Sequence, residues 1–240
     1  MNKIRIPRFI LQSFLLAGVI SLSACNDSNP LPTPEPPPPP PPVAKIFTVE
    51  VINLTNNQPM SPLTLVSHED GNMWQINQAA SVALETMAEG GDNSLLLAED
   101  YVDQGVSGGG ILAPGAAETV SLETFLEETI YLSLATMLVN TNDAFAGFNQ
   151  LDVTNLAVGD SVTQVFASYD AGTEANTEMP GTIPGPADGG EGFNAVRDDV
   201  DFVARHSGVV TADDGLTSSA LNESHRFDNP VIRVAVVRTQ

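Results

Sequence analysis

A proline-rich stretch separates a short N-terminal part of this chain from one long segment that can fold. Ten of the 18 prolines lie between Pro30 and Pro42, and the run from Pro36 to Pro42 is unbroken. Consecutive prolines favour the extended, semi-rigid polyproline II conformation. The stretch from Asn26 to Val43 is therefore predicted to be a tether. The remaining segment of roughly 195 residues is long enough for one hydrophobic core, and no second linker interrupts it.

The first 25 residues change from basic to apolar and then to small side chains. Three basic residues precede the apolar run from Phe9 to Ile20, and Leu22-Ser23-Ala24-Cys25 follows. The apolar run is too short for a stable membrane span, and the pattern is typical of an export signal. Its last four residues resemble a bacterial lipobox, which predicts cleavage after residue 24 and lipidation of Cys25. An ordinary signal peptide with a chance cysteine is the alternative.

Lipidation at Cys25 would place the protein in the bacterial cell envelope. Several acyl chains together hold a protein stably at a membrane. Asn26 directly after the cysteine resembles lipoproteins that are exported to the outer membrane, so we expect an outer-membrane lipoprotein that faces the periplasm or the cell surface. Since Cys25 is the only cysteine, no intrachain disulfide is possible and the domain must fold on its core alone.

The chain is strongly acidic, with 30 Asp and Glu residues against nine Lys and Arg residues. Removal of the signal takes away three of the basic residues and no acidic one. Such a surface repels polyanions, so nucleic acid is excluded as a partner. A strongly negative exported domain gains from bound divalent cations.

Residues 45–240 are predicted to form a mainly β, antiparallel β-sandwich with one or two short helices near its N-terminal part. Helical spacing of apolar residues predicts a helix over Gln78–Glu89, and a second over Ser94–Tyr101. Alternating or β-branched residues predict the strands. These predicted strands are Ile46–Asn53, Leu63–Val66, Thr119–Leu122, Tyr131–Leu138, Val162–Tyr169 and Pro230–Val237.

Two acidic loops flank the segment Phe148–Ala167, which has a strand, turn and strand pattern. The loops are Asn142–Gly147 and Ser168–Glu174, so both are expected at one end of a small sheet, where three carboxylates would converge. Gly172 can take positive φ at little cost and let the backbone double back. Clustered carboxylates are ligands that calcium accepts in irregular loops. The alternative is a solvated turn without a metal.

The same loops resemble conserved motifs of the spondin N-terminal domain family. Asp170-Ala171-Gly172-Thr173-Glu174 is similar to the family's Asp-Ala-Gly-Thr-Asp, and Asn142–Gly147 is similar to its Ser-Pro-Asp-Trp-Phe-x-Gly. The resemblance extends from about Ile46 to Arg238. Other matching stretches, in chain order, are Phe47–Glu50, Ser61–Leu63, His68, Trp74, Ala80-Ser81, Ala88–Gly90 and Pro230–Val234.

The resemblance implies an extracellular adhesion domain related in shape to C2 domains, with calcium bound at one end. Carried over by position, the metal ligands would be Asp143, Asp170 and Glu174. Glu174 stands where the family has aspartate, and Ala144 where it has tryptophan. We therefore expect a module that binds an unknown protein or glycan at the cell surface and performs no catalysis.

Two alternatives remain open. Gly105-Val106-Ser107-Gly108-Gly109 matches the Gly-x-Ser-x-Gly pattern of serine hydrolases, with Ser107 as nucleophile and a histidine as base. Its flanking residues do not suggest the strand and helix that such a serine needs, so a glycine loop is favoured. A purely structural envelope lipoprotein with an empty site is the other alternative. His68 is expected to make a structural hydrogen bond, and Trp74 is expected in the core.

Overall fold

The protein is described here by a computed structural model that covers residue 38 and residues 40–240. The predicted signal sequence, Cys25 and most of the proline tether lie outside the described residues. Within that part of the chain, no helix is long and apolar enough to cross a membrane.

Two antiparallel sheets, two short α-helices and two 3₁₀ turns at Ala212–Asp214 and Glu223–His225 make up the regular structure of the described residues. One sheet has four strands in the order β4-β1-β10-β7, and the other has six in the order β3-β2-β5-β6-β8-β9. The elements are β1 (Lys45–Asn53), β2 (Thr64–His68), α1 (Val82–Gly90), α2 (Ser94–Leu97), β3 (Gln104–Ser107), β4 (Ala117–Thr124), β5 (Tyr131–Met137), β6 (Ala144–Asp152), β7 (Ser161–Phe166), β8 (Ser168–Asp170), β9 (Ala204–Arg205) and β10 (Ile232–Arg238). The predicted antiparallel β-sandwich with two short helices is confirmed.

Strands β2 and β5 and the first half of β6, in the six-stranded sheet, are buried on both faces. One face packs against the four-stranded sheet in a cluster that includes Phe47, Leu65 and Leu134. Its other face packs against α1 through a second cluster, which includes Leu84 and Phe145. Successive side chains of a strand point to opposite faces, so the inner strands of this sheet must be apolar at nearly every position.

The helix predicted over Gln78–Glu89 begins four residues later in the structure. Helix α1 begins at Val82 because Ser81 is its N-cap, with an extended backbone and a hydroxyl that accepts the Leu84 N–H at 3.1 Å. The Gln78 carbonyl oxygen instead accepts the Val203 N–H at 2.8 Å. The second predicted helix ends at Leu97 instead of Tyr101.

Two predicted loops are partly strand. Asn142–Gly147 was predicted to be irregular, but β6 begins within it at Ala144 and pairs with β8. The glycine loop around Ser107 contains β3, which pairs with β2. In both cases, pairing with a neighbouring strand makes a strand of a segment whose local sequence predicts a loop.

The segment Phe148–Ala167 does not form a hairpin of one sheet. Its first strand, β6, lies in the six-stranded sheet, and β7 crosses to the four-stranded sheet to pair with β10. Strand β8 then returns to β6, so Ala144 pairs with Asp170. The two acidic loops therefore do meet at one end of a sheet.

Candidate metal centre

Strand pairing brings Asp143 and Asp170 together. Asp143 directly precedes β6, Asp170 ends β8, and the paired residues Ala144 and Asp170 align the two strands. The Ala171 N–H also donates to the Asp143 carbonyl oxygen at 3.4 Å. Two of the three carboxylates predicted from the sequence thus lie at one strand end.

The Asp143 carboxylate is fully buried, and only one of its two oxygen atoms accepts hydrogen bonds. Its Oδ2 atom accepts hydrogen bonds from the Thr173 N–H at 2.8 Å, the Thr173 hydroxyl at 3.2 Å and the Glu174 N–H at 3.2 Å. Its Oδ1 atom is buried and has no partner among the described residues. Burial, followed by the negative charge of Asp170, raises the pKa of Asp143 to about 7. A bound cation would remove both penalties.

Asp170 is held by the turn that follows it. Its Oδ1 atom accepts the Gly172 N–H at 2.7 Å, and its Oδ2 atom accepts the Asn176 side-chain amide at 2.6 Å. Gly172 has a φ of 72°, and a Cβ there would lie 2.3 Å from the Phe202 carbonyl oxygen. The predicted reversal of the backbone at this glycine is therefore present.

His206 supports Asp170 indirectly, through the side chain of Asn176. His206 Nδ1 accepts the Gly208 N–H at 3.0 Å, so its proton is assigned to Nε2, which donates to Asn176 Oδ1 at 3.2 Å. Burial lowers the pKa of His206, against the opposing effect of the Asp170 charge. The neutral imidazole orients Asn176, and Asn176 in turn orients Asp170.

The Glu174 carboxylate has a different environment. Its Oε1 atom accepts the Asn142 side-chain amide at 2.9 Å. Burial raises the pKa of Glu174 to about 7 against that hydrogen bond, and the acidic groups that add to the shift are Glu89, Asp198 and Glu191. Residues 40–240 hold no group of three or more His, Cys, Asp or Glu side chains arranged to hold a metal, so the expected cluster of three carboxylates is not found.

Two buried glutamates beside this region were not singled out from the sequence. Glu89 is 1% exposed, and its Oε2 atom accepts the Asn194 N–H while Oε1 has no partner in the described chain. Glu85 is 3% exposed and forms an ion pair with Arg197 at 2.7 Å. Their spacing in the sequence could have identified them, because they are four residues apart and lie among the apolar residues of one helix face.

Ser107 lacks the surroundings of a catalytic nucleophile. Its hydroxyl accepts the Asn93 amide at 3.0 Å and donates to the Gly108 carbonyl at 3.3 Å. In the described structure each histidine makes its hydrogen bonds elsewhere; His68, for instance, bonds to Ser133 and the Asp70 carbonyl. The structural role expected for His68 is thus present. Trp74 is 7% exposed and belongs to the core cluster beneath α1.

The residues around Asp143 fit a hard cation. Carboxylate oxygens are ligands that calcium prefers, and the buried Asp143 Oδ1 and Asn142 Oδ1 atoms both lack partners among the described residues. Asp143 and Asp170 would supply the negative charge.

Comparison with known proteins adds no assignment. No family model matches the chain, and no significant match was found among curated proteins. The resemblance to spondin N-terminal domains therefore rests on the motifs quoted above.

Proposed function

We propose that this protein is a lipid-anchored, calcium-binding interaction module of the bacterial cell envelope. The observation that supports the cation is the fully buried Asp143 carboxylate, which has one unpartnered oxygen and lies next to Asp170. Buried charges in proteins are normally paired or bound to a metal. The family resemblance implies Asp143 and Asp170 as ligands together with Glu174, and it supports an adhesive role at the cell surface.

The cation would act structurally. When bound, calcium would neutralise the charges of Asp143 and Asp170 and tie the start of β6 to the end of β8. Thr173 and Glu174 hold Asp143 in place through their backbone N–H groups. The cation would thereby order the loop from Ala171 onward.

A site with only two carboxylates should be weak. Calcium affinity falls with fewer charged ligands, and extracellular modules bind with Kd values of about 0.1–1 mM. At 10 mM calcium, binding to the folded state alone would add about 1.4–2.7 kcal/mol to the free energy of unfolding. For a domain near 200 residues, this corresponds to a rise in Tm on the order of 3–10 °C.

The test is the Tm of the full chain in calcium and in sodium at equal ionic strength. We expect calcium alone to raise Tm, because sodium reproduces only general screening of the acidic surface. Asp170→Asn should remove most of the shift. Asp160→Asn is the matched control, since Asp160 is exposed and its carboxylate makes no hydrogen bond within the described chain. An equal shift in sodium, or a full shift in Asp170→Asn, would show that this is not a calcium site.

A further inference from the structure

A partly open cavity of about 280 Å³ lies beside the N-terminus of α1, apart from the acidic loops. Its wall combines the loop between β2 and α1 with the segment after α2. The lining side chains that matter for recognition are Asn72, Trp74, Gln75, Gln78, Glu99 and Tyr101. The volume is at the lower end of the range for ligand pockets, so it suits one small group.

The lining favours a neutral ligand with many hydroxyl groups. Asn72, Gln75 and Gln78 carry side-chain amides, and each amide offers both donors and an acceptor. Sugar hydroxyls also donate and accept, so neighbouring hydroxyls of one ring can pair with neighbouring amides. The lining contains no Lys or Arg, and Glu99 is its only charged side chain, which disfavours phosphate and carboxylate ligands.

These polar groups are available for binding. Across residues 40–240, the side chains of Asn72, Gln75, Gln78 and Glu99 make no hydrogen bond to another protein group. The Tyr101 hydroxyl also lacks a partner in this part of the chain, although it is shielded from solvent and buried hydroxyls normally have one. A ligand hydroxyl could reach it after a small side-chain adjustment of the kind common on binding.

The cavity wall is held in place by an irregularity in the sheet. The register of β5 and β6 shifts between Leu132 and Leu134, opposite Asn149 and Gln150. Asn149 accepts the Met73 N–H at 2.8 Å and donates to the Trp74 carbonyl at 3.0 Å. One side chain thus fixes two successive backbone groups of the loop that lines the cavity.

Gln150 fixes the preceding turn. It has a φ of 52°, which is uncommon for a residue with a side chain, and its amide donates to the Gly71 carbonyl at 2.7 Å. Gly71 has a φ of 82° and lies so close to Tyr101 that a Cβ would be 2.6 Å from the ring. Uncommon backbone conformations concentrate at functional sites, where they pre-organise a wall for binding.

We propose that this cavity binds one neutral sugar residue of a glycan. Amides form the polar contacts, and the half-buried Tyr101 ring provides apolar surface for the sugar's C–H groups. This proposal rests on the proposed role as an interaction module and names a ligand for it. None of the residues that line the cavity belongs to the cation site. Either proposal can therefore fail without the other.

Trp74 is the only tryptophan of the chain, so tryptophan emission reports directly on the cavity. The full chain is titrated separately with N-acetyl-D-glucosamine and with the methyl α-glycosides of D-glucose, D-galactose and D-mannose. Inorganic phosphate and butylamine serve as anionic and cationic comparison probes. We expect at least one sugar to give a saturable change with a Kd in the millimolar range, and neither comparison probe to bind more tightly.

Gln78→Ala removes one lining amide and should weaken sugar binding about tenfold, the effect of losing one good hydrogen bond. Gln164→Ala is the matched control, because Gln164 is an exposed glutamine on β7, outside the cavity lining. The Tm of both variants should equal that of the wild type, and Asp143→Asn should still bind the sugar. The inference is overturned if no sugar binds saturably, if phosphate or butylamine binds more tightly, or if Gln78→Ala and Gln164→Ala bind equally.

Discussion

Asp143 and Glu174 lie within one small loop system, yet their carboxylates face different partners. The Glu174 N–H donates to Asp143, whereas its side chain accepts from Asn142 and lies near Glu89. The backbone of residue 174 therefore belongs to the Asp143 site, but its carboxylate does not. A sequence motif identifies the residue, but it does not determine the direction in which the side chain points.

Glu174→Gln distinguishes a two-carboxylate site from a three-carboxylate site. The substitution keeps an oxygen that can accept from Asn142 and leaves the backbone N–H that holds Asp143. We expect the calcium-dependent increase in the free energy of unfolding to remain within about 1 kcal/mol of the wild-type value. Thermal unfolding with and without calcium measures it, with Asp143→Asn as the variant that loses the effect. Loss of the shift in Glu174→Gln would instead support the ligand set implied by the family resemblance.

At the scale of elements, the start of β6 is the segment that positions the site. Gly147 follows the paired residues Ala144 and Ala146 and lies against β5 so closely that a Cβ would be 1.9 Å from the Leu134 carbonyl oxygen. Backbone atoms cannot yield to such a contact without moving a whole strand. A glycine in this loop motif thus serves strand packing.

Gly147→Ala should therefore lower the free energy of unfolding by about 3 kcal/mol, the upper end of the range typical of overpacking, because the obstructing atoms are backbone. Denaturant unfolding of the full chain measures this change. Gly192→Ala is the control, because a Cβ there would meet its nearest atom at 3.7 Å, an ordinary contact. Equal stability of the Gly147→Ala variant and wild type would contradict the close approach of β5 and β6.

At the scale of the whole molecule, one aromatic cluster lies between the two candidate sites. The Trp74 ring packs 4.9 Å from that of Phe145 and 5.1 Å from that of Tyr169, measured between ring centroids. Phe145 lies two residues after Asp143, and Tyr169 directly precedes Asp170. The cation site and the cavity thus adjoin the same aromatic cluster of the core beneath α1.

Attachment of the whole molecule to a membrane is a prediction from sequence. Cys25 lies outside the described residues, and its role depends on the lipobox-like pattern before it. We expect Cys25→Ser to release the protein from the membrane fraction or to leave it unprocessed, because no acyl chain can then be attached. Fractionation followed by immunoblotting measures this. A variant that fractionates and migrates like the wild type would contradict the lipoprotein assignment.

The local pattern of the sequence was sufficient to predict the β-sandwich. Alternating residues at Ile46–Asn53 and Pro230–Val237 predicted strands that the structure pairs as β1 and β10. Such alternation is visible in the chain because strand burial has a period of two residues. Positive φ at Gly172 was also predictable, since glycine alone takes it without cost.

Other features depended on contacts between distant residues. The local sequence did not identify β3 or the first residues of β6, because each is a strand only through pairing with its neighbour. Nor did it show that the Glu174 carboxylate accepts from the Asn142 side chain, or that Asn149 holds the cavity loop 75 residues away at Trp74. The sequence by itself determined which residues carry charge and which segments can be strands. Only the tertiary structure decided which side chains face each other, because that depends on the packing of segments that are far apart in the chain.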